Sequence, residues 1–205
     1  KATYEDSENS GIGSNGLTSA RHDILCPYYR EKYPETFDAG VDEKLVYCGP
    51  YKLEDKLEGS PMTIAQALLS PTRTYAPVIM KIMKKHPGLI KGLVHCSGGG
   101  QTKCVRFGKS VHFVKDNLMD VPPIFKAIQK ASGTSDREMF EVYNMGHRME
   151  VYCSKSDAKK VIDIAESYAV EARVIGHTEK SARPDRKNHV SVKYAGKTLE
   201  YGPRD

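Results

Sequence analysis

The apolar positions of this chain recur at two spacings, and the alternation between them divides it into helices and strands. Leu17, Ile24, Leu25 and Tyr28 predict a helix from Leu17 to about Tyr33, stopped by Pro34. Residues 34–60 lose the pattern to Pro34, Gly40, Gly49, Pro50 and Gly59, and read as a long loop with one short strand near Leu45–Tyr47. Thr63 suits the N-cap of a helix from Ile64 to Leu69. Val78, Ile79, Ile82 and Met83 then share one face of a helix from Tyr75 to Lys85, which Pro87-Gly88 ends. Leu89 to Cys96 is apolar enough for a buried strand, and Val111 to Val114 reads as another.

Pro122-Pro123 opens a helix to about Ala131, since proline is tolerated in a first turn, and residues 136–143 also read as helical. The strand His147 to Cys153 alternates Met149, Val151 and Cys153. Ser156 or Asp157 caps an amphipathic helix carrying Val161, Ile162, Ile164, Ala165 and Tyr168. Val170 to Ile175 reads as a strand, and Val190–Tyr194 with Thr198–Tyr201 forms a hairpin around Ala195-Gly196-Lys197. This order predicts an α+β fold, a layered mixed β-sheet with flanking helices. At 205 residues the chain is long enough for one sizeable core, and it contains no internal repeat.

Composition narrows the function classes. The 39% hydrophobic and 28% charged residues are those of a soluble globular domain. No apolar run reaches the roughly 20 residues of a membrane span, and the opening residues do not read as a secretory leader. Five cysteines, an odd number with no Cys-x-x-Cys, suggest reduced thiols and a cytoplasmic protein. The net charge of +5 is spread out: Lys84, Lys85 and His86 end a helix, and Arg183, Arg186 and Lys187 sit in a polar loop. No basic stripe is interleaved with aromatics, which argues against nucleic acid and leaves room for a small phosphorylated ligand.

Four segments carry candidate chemistry. Gly11-Ile12-Gly13-Ser14-Asn15-Gly16 matches a dinucleotide-binding string, but Glu5, Asp6, Ser7, Glu8 and Asn9 precede it instead of an apolar strand, and no acidic strand end follows. The protein-kinase glycine loop fails for want of its lysine strand. What remains is a glycine turn with Ser14 and Asn15 at a helix start, able to present backbone N–H groups to an anion or simply to cap the helix. His95-Cys96-Ser97-Gly98-Gly99-Gly100 ends a strand in three glycines that let backbone approach a ligand, beside an imidazole able to exchange a proton or to sit hydrogen-bonded in packing. His95, Cys96 and Cys104 fit no standard zinc spacing. Asn144 opens another glycine turn, where it could hold a phosphate, a metal-bound water or the turn itself. Arg73, in the helix break Ser70-Pro71-Thr72-Arg73, could pair with phosphate or with a structural acid.

The order and wording of these segments resemble one family. Ser10-Gly11-x-x-Ser14-Asn15-Gly16, Leu68-Leu69-x-Pro71-Thr72-Arg73-x-Tyr75, His95-x-x-Gly98-Gly99-Gly100 and Phe140-x-x-Tyr143-Asn144-x-Gly146-x-x-Met149 are similar to the C-terminal domain of AIR synthetases, phosphoribosylformylglycinamidine cyclo-ligases. The resemblance covers nearly the whole chain and is weakest over residues 34–60. It implies that residues 1–205 are the substrate-side domain of a two-domain purine-biosynthetic ligase whose N-terminal ATP-binding domain is absent, so that the piece alone should be inactive. It also implies ATP and Mg2+ as cofactors, held mainly by that other domain, and a homodimer in the full enzyme. A ribonucleotide is the implied substrate, with no nucleic acid and no membrane as partners. His95 becomes the candidate catalytic residue. Gly11, Ser14, Asn15, Gly16, Arg73, Gly98, Gly99, Gly100 and Asn144 become candidates for substrate or phosphate binding, with no metal ligand named. Two departures stand out: Gly13 replaces the family's usual histidine, and His147-Arg148 replaces a small or apolar residue and a glycine. A sister ATP-dependent enzyme with another substrate, or a non-catalytic phosphate-binding module, is the alternative.

Overall fold

Proline and glycine set the boundaries of the first third of the chain in the computed structural model, which describes residues 9–14 and 16–202. The helix expected from Leu17 to Tyr33 is two helices, α1 (Leu17–Ile24) and α2 (Tyr28–Lys32). Pro27 lacks an N–H and pushes the residue before it toward extended backbone, so the chain leaves α1 at Leu25, extended at ψ 145°. That extended turn is put to use: Leu25 bridges Tyr51 in parallel, and Cys26 N donates to Tyr51 O at 2.9 Å. The strand expected at Leu45–Tyr47 does not form, because Tyr47 has φ +45° and Glu43–Leu45 is a short 3-10 turn. Val46 and Tyr47 are nevertheless buried, and the Tyr47 ring packs edge-on against Tyr29 and Phe37.

Helix α3 (Ile64–Leu68) starts with the expected Thr63 cap, completed reciprocally by Gln66 into a capping box. Helix α4 (Ala76–Lys85) buries Val78 and Ile82 one turn apart, while Met83 stays half exposed. Strand β1 (Gly92–His95) is less buried than its composition suggests, with Val94 inside and Leu93 and His95 outside. After β2 (Val111–Lys115) come α5 (Pro123–Ser132), ended by Gly133 at φ 70°, and α6 (Asp136–Val142), capped by Ser135. Strand β3 (Met149–Tyr152) and α7 (Ala158–Glu166) follow.

The strand expected at Val170–Ile175 is an extended connection instead, entered through Ala169 at φ +58°. The strand is the next segment, β4 (Gly176–Lys180), which is polar and largely exposed. It is an edge held by backbone pairing to β2 and so carries little apolar pattern. The terminal hairpin forms as expected from β5 (His189–Tyr194) and β6 (Lys197–Tyr201), its two turn residues Ala195 and Gly196 both at positive φ.

The strands make two sheets. One is four-stranded and mixed, in the order β4-β2-β5-β6, with β2 and β5 parallel and the other neighbours antiparallel. The other is the antiparallel ribbon β1-β3, registered Val94 to Glu150 and His95 to Met149. Two apolar clusters support them. The larger gathers Ile24, Ile64, Phe125, Phe140, Val190 and Val192 between the helices and the four-stranded sheet. The smaller joins Val78, Ile82 and Leu89 to Ile164 and Ala165, locking α4 to α7. Between the two runs a cleft of about 1320 Å3. The fold is thus the α+β arrangement of helices and mixed sheet that the sequence predicts.

Candidate functional site

Four loops meet at one end of the β1-β3 ribbon, and short polar side chains stitch them together. Asn9 begins the first loop; its Nδ2 donates to Pro71 O at 2.9 Å, and its Oδ1 accepts from Gly11 N at 3.0 Å. Ser10 continues the seam, its Oγ donating to Ala67 O at 2.6 Å and its N–H to Ser70 Oγ at 3.0 Å. The glycine turn that follows is thereby fastened to the helix break at residues 70–73. A side chain at Gly13 would meet Thr72 Oγ1 at 3.3 Å and Arg148 Cδ at 3.9 Å.

Asn144 joins the first loop to the third. Its Nδ2 donates to Gly11 O at 2.9 Å and Ile12 O at 3.3 Å, while its Oδ1 accepts from Gly146 N at 3.1 Å. Buried and fully used, it braces both turns, which among the roles open to it in the sequence is the structural one. Its own carbonyl accepts from Gln101 Nε2, which also reaches His147 O at 3.1 Å. Gln101 therefore ties the loop after β1 to the same segment.

Tyr143 sits between the two glycine bends. A Cβ on Gly16 would come within 2.6 Å of its ring, and one on Gly100 within 2.4 Å of its carbonyl oxygen. Packing against Tyr143 accounts for glycine at both places, and the Gly100 N–H is already given to Ser97 O at 2.8 Å. Among the described residues the amides of Gly13, Ser14, Gly98 and Gly99 donate no hydrogen bond, which leaves them for a ligand. Gly11 gives its amide to Asn9. Asn15 lies outside the described residues. Arg73 is half-buried and lines the cleft with Tyr75 and Arg148.

His95 stands exposed at the end of β1, its ring edge-on to Tyr75 with centroids 6.4 Å apart. Partial burial, together with the positive charges of Lys103 and Arg148, lowers its pKa below the ordinary histidine value. The imidazole is therefore a neutral base near pH 7. Lys103 is held in turn, donating to Ser97 Oγ at 2.5 Å.

Beneath this surface lies a buried polar cluster whose central pair, Lys115 and Glu150, no sequence motif marks. Lys115 Nζ reaches Glu150 Oε1 at 2.5 Å, Gln101 O at 2.6 Å and Gln101 Oε1 at 3.0 Å. Glu150 also accepts from His147 Nε2 at 3.0 Å, from Cys96 Sγ at 3.2 Å and from the Tyr152 hydroxyl. Burial would lower the lysine pKa and raise that of the carboxyl, but mutual attraction overrides it, holding Lys115 above its ordinary range and Glu150 well below the carboxylate range. Burial keeps His147 below the usual histidine value and raises the Cys96 thiol. The ladder explains the cluster: Val94, Cys96, Arg148, Glu150 and Tyr152 share the inner face of the ribbon, and Met149 and Val151 the outer. The most buried side chain of this strand is thus the charged Glu150, and Met149 and Val151 are only half-buried.

Two groups bring metal-ligand atoms within 4.8 Å of one another: Cys96 with His147 and Glu150, and His112 with His189 and Glu200. Neither suits magnesium, which takes oxygen ligands. In the first, Lys115 already supplies the positive charge at Glu150. In the second, the two imidazoles stack at 4.0 Å, and His112 is spent on Glu179 at 2.8 Å and Ser191 at 2.5 Å. All five cysteines are unpaired. Among the described residues no helix is long and apolar enough to cross a membrane.

Comparison with known proteins gives this junction its context. The family model described as "AIR synthase related protein, C-terminal domain" matches residues 51–187. A phosphoribosylformylglycinamidine cyclo-ligase of Methanococcus vannielii is 37% identical over 194 residues, 93% of this chain and 49% of the relative. Proteins of the same name from Methanocaldococcus jannaschii and Caldicellulosiruptor saccharolyticus are 34% and 31% identical, over 82% and 83% of this chain and 42% and 46% of their own length. The chain spans about half the length of the curated relatives it matches.

Proposed function

The chain belongs to the AIR synthase related protein family, C-terminal domain, and from that premise we propose that it is the substrate-side half of a phosphoribosylformylglycinamidine cyclo-ligase. The reaction is the ATP-dependent ring closure of formylglycinamidine ribonucleotide to aminoimidazole ribonucleotide. The observation that carries the proposal is the convergence of the two glycine bends on Tyr143 and Asn144, with unspent amides beside them, at a junction whose Arg73, Gly146 and Arg148 line the large cleft. A ribose phosphate is the kind of ligand such amides grip, because each presents a fixed partial positive charge at no reorganisation cost.

Within this reading each group has a task. The amides of Gly13, Ser14, Gly98 and Gly99 hold the ribonucleotide, with Arg73 at the cleft wall. Asn144 and Gln101 keep the loops in place. His95, neutral near pH 7 and at the rim, takes the proton released when the internal nitrogen attacks the activated amide carbon. Activation of the amide oxygen is the work of ATP and Mg2+. Neither cluster found among the described residues fits the metal, and we assign both to the part of the relatives' length that the chain does not cover. That part is its proposed partner, in a cytoplasmic homodimer.

The test is a turnover assay of the chain completed with its remaining half, scored by aminoimidazole ribonucleotide formed. Ring closure is expected from the completed enzyme and not from the chain by itself. His95→Ala should lower kcat by roughly 10²–10⁴-fold without moving the unfolding midpoint. In the unmodified enzyme activity should fall as pH drops through the lowered pKa of this imidazole, with a midpoint below the ordinary histidine value. A completed enzyme that folds, binds ATP and closes no ring would sink the proposal.

A further inference from the structure

We propose that Arg148 is the charge-recognition residue of this junction, a guanidinium that is buried with no acid beside it among the described residues, so that an anionic group of the ligand, a phosphate monoester, completes the ion pair. Arg148 directly precedes β3 and is 9% exposed. The ion pairs among the described residues do not include it. The hydrogen bond its side chain makes there is a long one, from Nη1 to the neutral Asn9 Oδ1 at 3.3 Å. A guanidinium has five N–H donors and no acceptor, so most of its capacity is unspent. Lys115, which reaches the ribbon's inner face from β2, shows how this fold treats a cation meant for structure, with Glu150 at 2.5 Å and Gln101 closing the remaining contacts. Burying a charge with no counter-charge is strongly unfavourable, and a planar fork of donors matches a phosphate better than any neutral group.

The surroundings fit such a ligand. Arg148 lines the cleft, as does Arg73. Its Cδ lies 3.9 Å from where a side chain on Gly13 would begin, and Gly13 has φ +62°, so glycine there leaves the guanidinium stem its space. Gly13 and Arg148, two of the three residues at which this chain departs from the family pattern, are therefore neighbours across the junction. Gly13 also carries an amide that donates no hydrogen bond among the described residues.

The inference rests on reading the junction as the seat of a phosphorylated ligand, though not on ring closure itself. Inorganic phosphate, ribose 5-phosphate and ribose are titrated by calorimetry into the full 205-residue chain, and its unfolding midpoint is followed with each. Both phosphates should bind and raise the midpoint, and ribose should do neither. Arg148→Gln should weaken phosphate binding about tenfold or more. Its midpoint without ligand should match or exceed that of the unaltered chain, because an uncompensated charge is gone. Arg148→Lys, which keeps the charge and the fold if glutamine disrupts packing, should retain part of the affinity. Equal phosphate affinity in all three chains, or no phosphate effect on the unaltered one, would overturn the inference. Phosphate binding that depends on Arg148 in an enzyme that closes no ring would leave the inference standing and remove the cyclo-ligase reading. Ring closure with an unchanged KM in Arg148→Gln would do the reverse.

Discussion

Lys115 and Glu150 are the residues on which the inner face of the ribbon depends, and each is only 3–4% exposed. Removing one leaves the other as a buried, unpaired charge, so Lys115→Met or Glu150→Leu alone should cost about 3–5 kcal/mol in urea unfolding. The double variant should recover part of that loss, because no unpaired charge is left, although Gln101, His147 and the Tyr152 hydroxyl lose their partners. Equal losses in single and double variants would show that the pair does not act as a unit. Neither residue stood out in the sequence, and the reason is physical. Met149, Val151 and Cys153 are the apolar set of their strand, yet hydrophobicity does not show that Glu150 and Tyr152 face inward once Lys115 waits opposite. Extending β2 by one residue, to place Lys115 on the face of Phe113, was the available clue. His95 and Asn144, by contrast, were legible because glycines beside them marked a turn with a purpose.

At the scale of elements, boundaries written in proline, glycine and capping residues came through, and those set by neighbours did not. Thr63 with Gln66 announced α3, and Pro122-Pro123 announced α5. The polar edge strand β4 carries no apolar pattern, because backbone pairing and the polar His112–Glu179 contact hold it to β2, and Pro27 breaks a helix whose apolar period runs on past it. Glycine roles divide in the same way. Gly100 has φ +48°, and a Cβ there would press on Tyr143 O at 2.4 Å and Phe140 O at 2.7 Å, both main-chain atoms that cannot swing aside. Gly133, at φ 70°, faces open space. Gly133→Ala should therefore cost about 1–2 kcal/mol for its left-handed backbone, and Gly100→Ala that much plus a further 1–3 kcal/mol for overpacking. Urea midpoints of the two variants measure the difference. Equal costs would mean that the loop after β1 is free to move away from α6.

The whole molecule is two apolar clusters of unequal size with a cleft between them, and that inequality has a dynamic consequence. The smaller cluster has five fully buried members, Val78, Ile82, Leu89, Ile164 and Ala165, and rests on one helix pair. The larger one spans α1, α3, α5, α6 and the four-stranded sheet. Opening free energy follows buried apolar contact, so α4 and α7 should open before the main core does. Native-state hydrogen exchange should show amides of α4 and α7 exchanging through a lower free energy than those of α5 and β5. Ile82→Ala, a cavity worth about 2–5 kcal/mol, should speed exchange in α4 and α7 and leave α5 and β5 unmoved. Phe140→Ala should instead lower the protection of both. The cleft runs along the seam between these units, lined by Val78 and Ile82 on one side and by Phe113 and Gly176 on the other. A ligand that spans it ties the weaker unit to the stronger, and ribose 5-phosphate should slow exchange in α4 and α7 more than in α5. Uniform exchange in all four elements, or a ligand effect confined to the main core, would mean that the molecule opens as one body and that the cleft is a surface groove with no mechanical role.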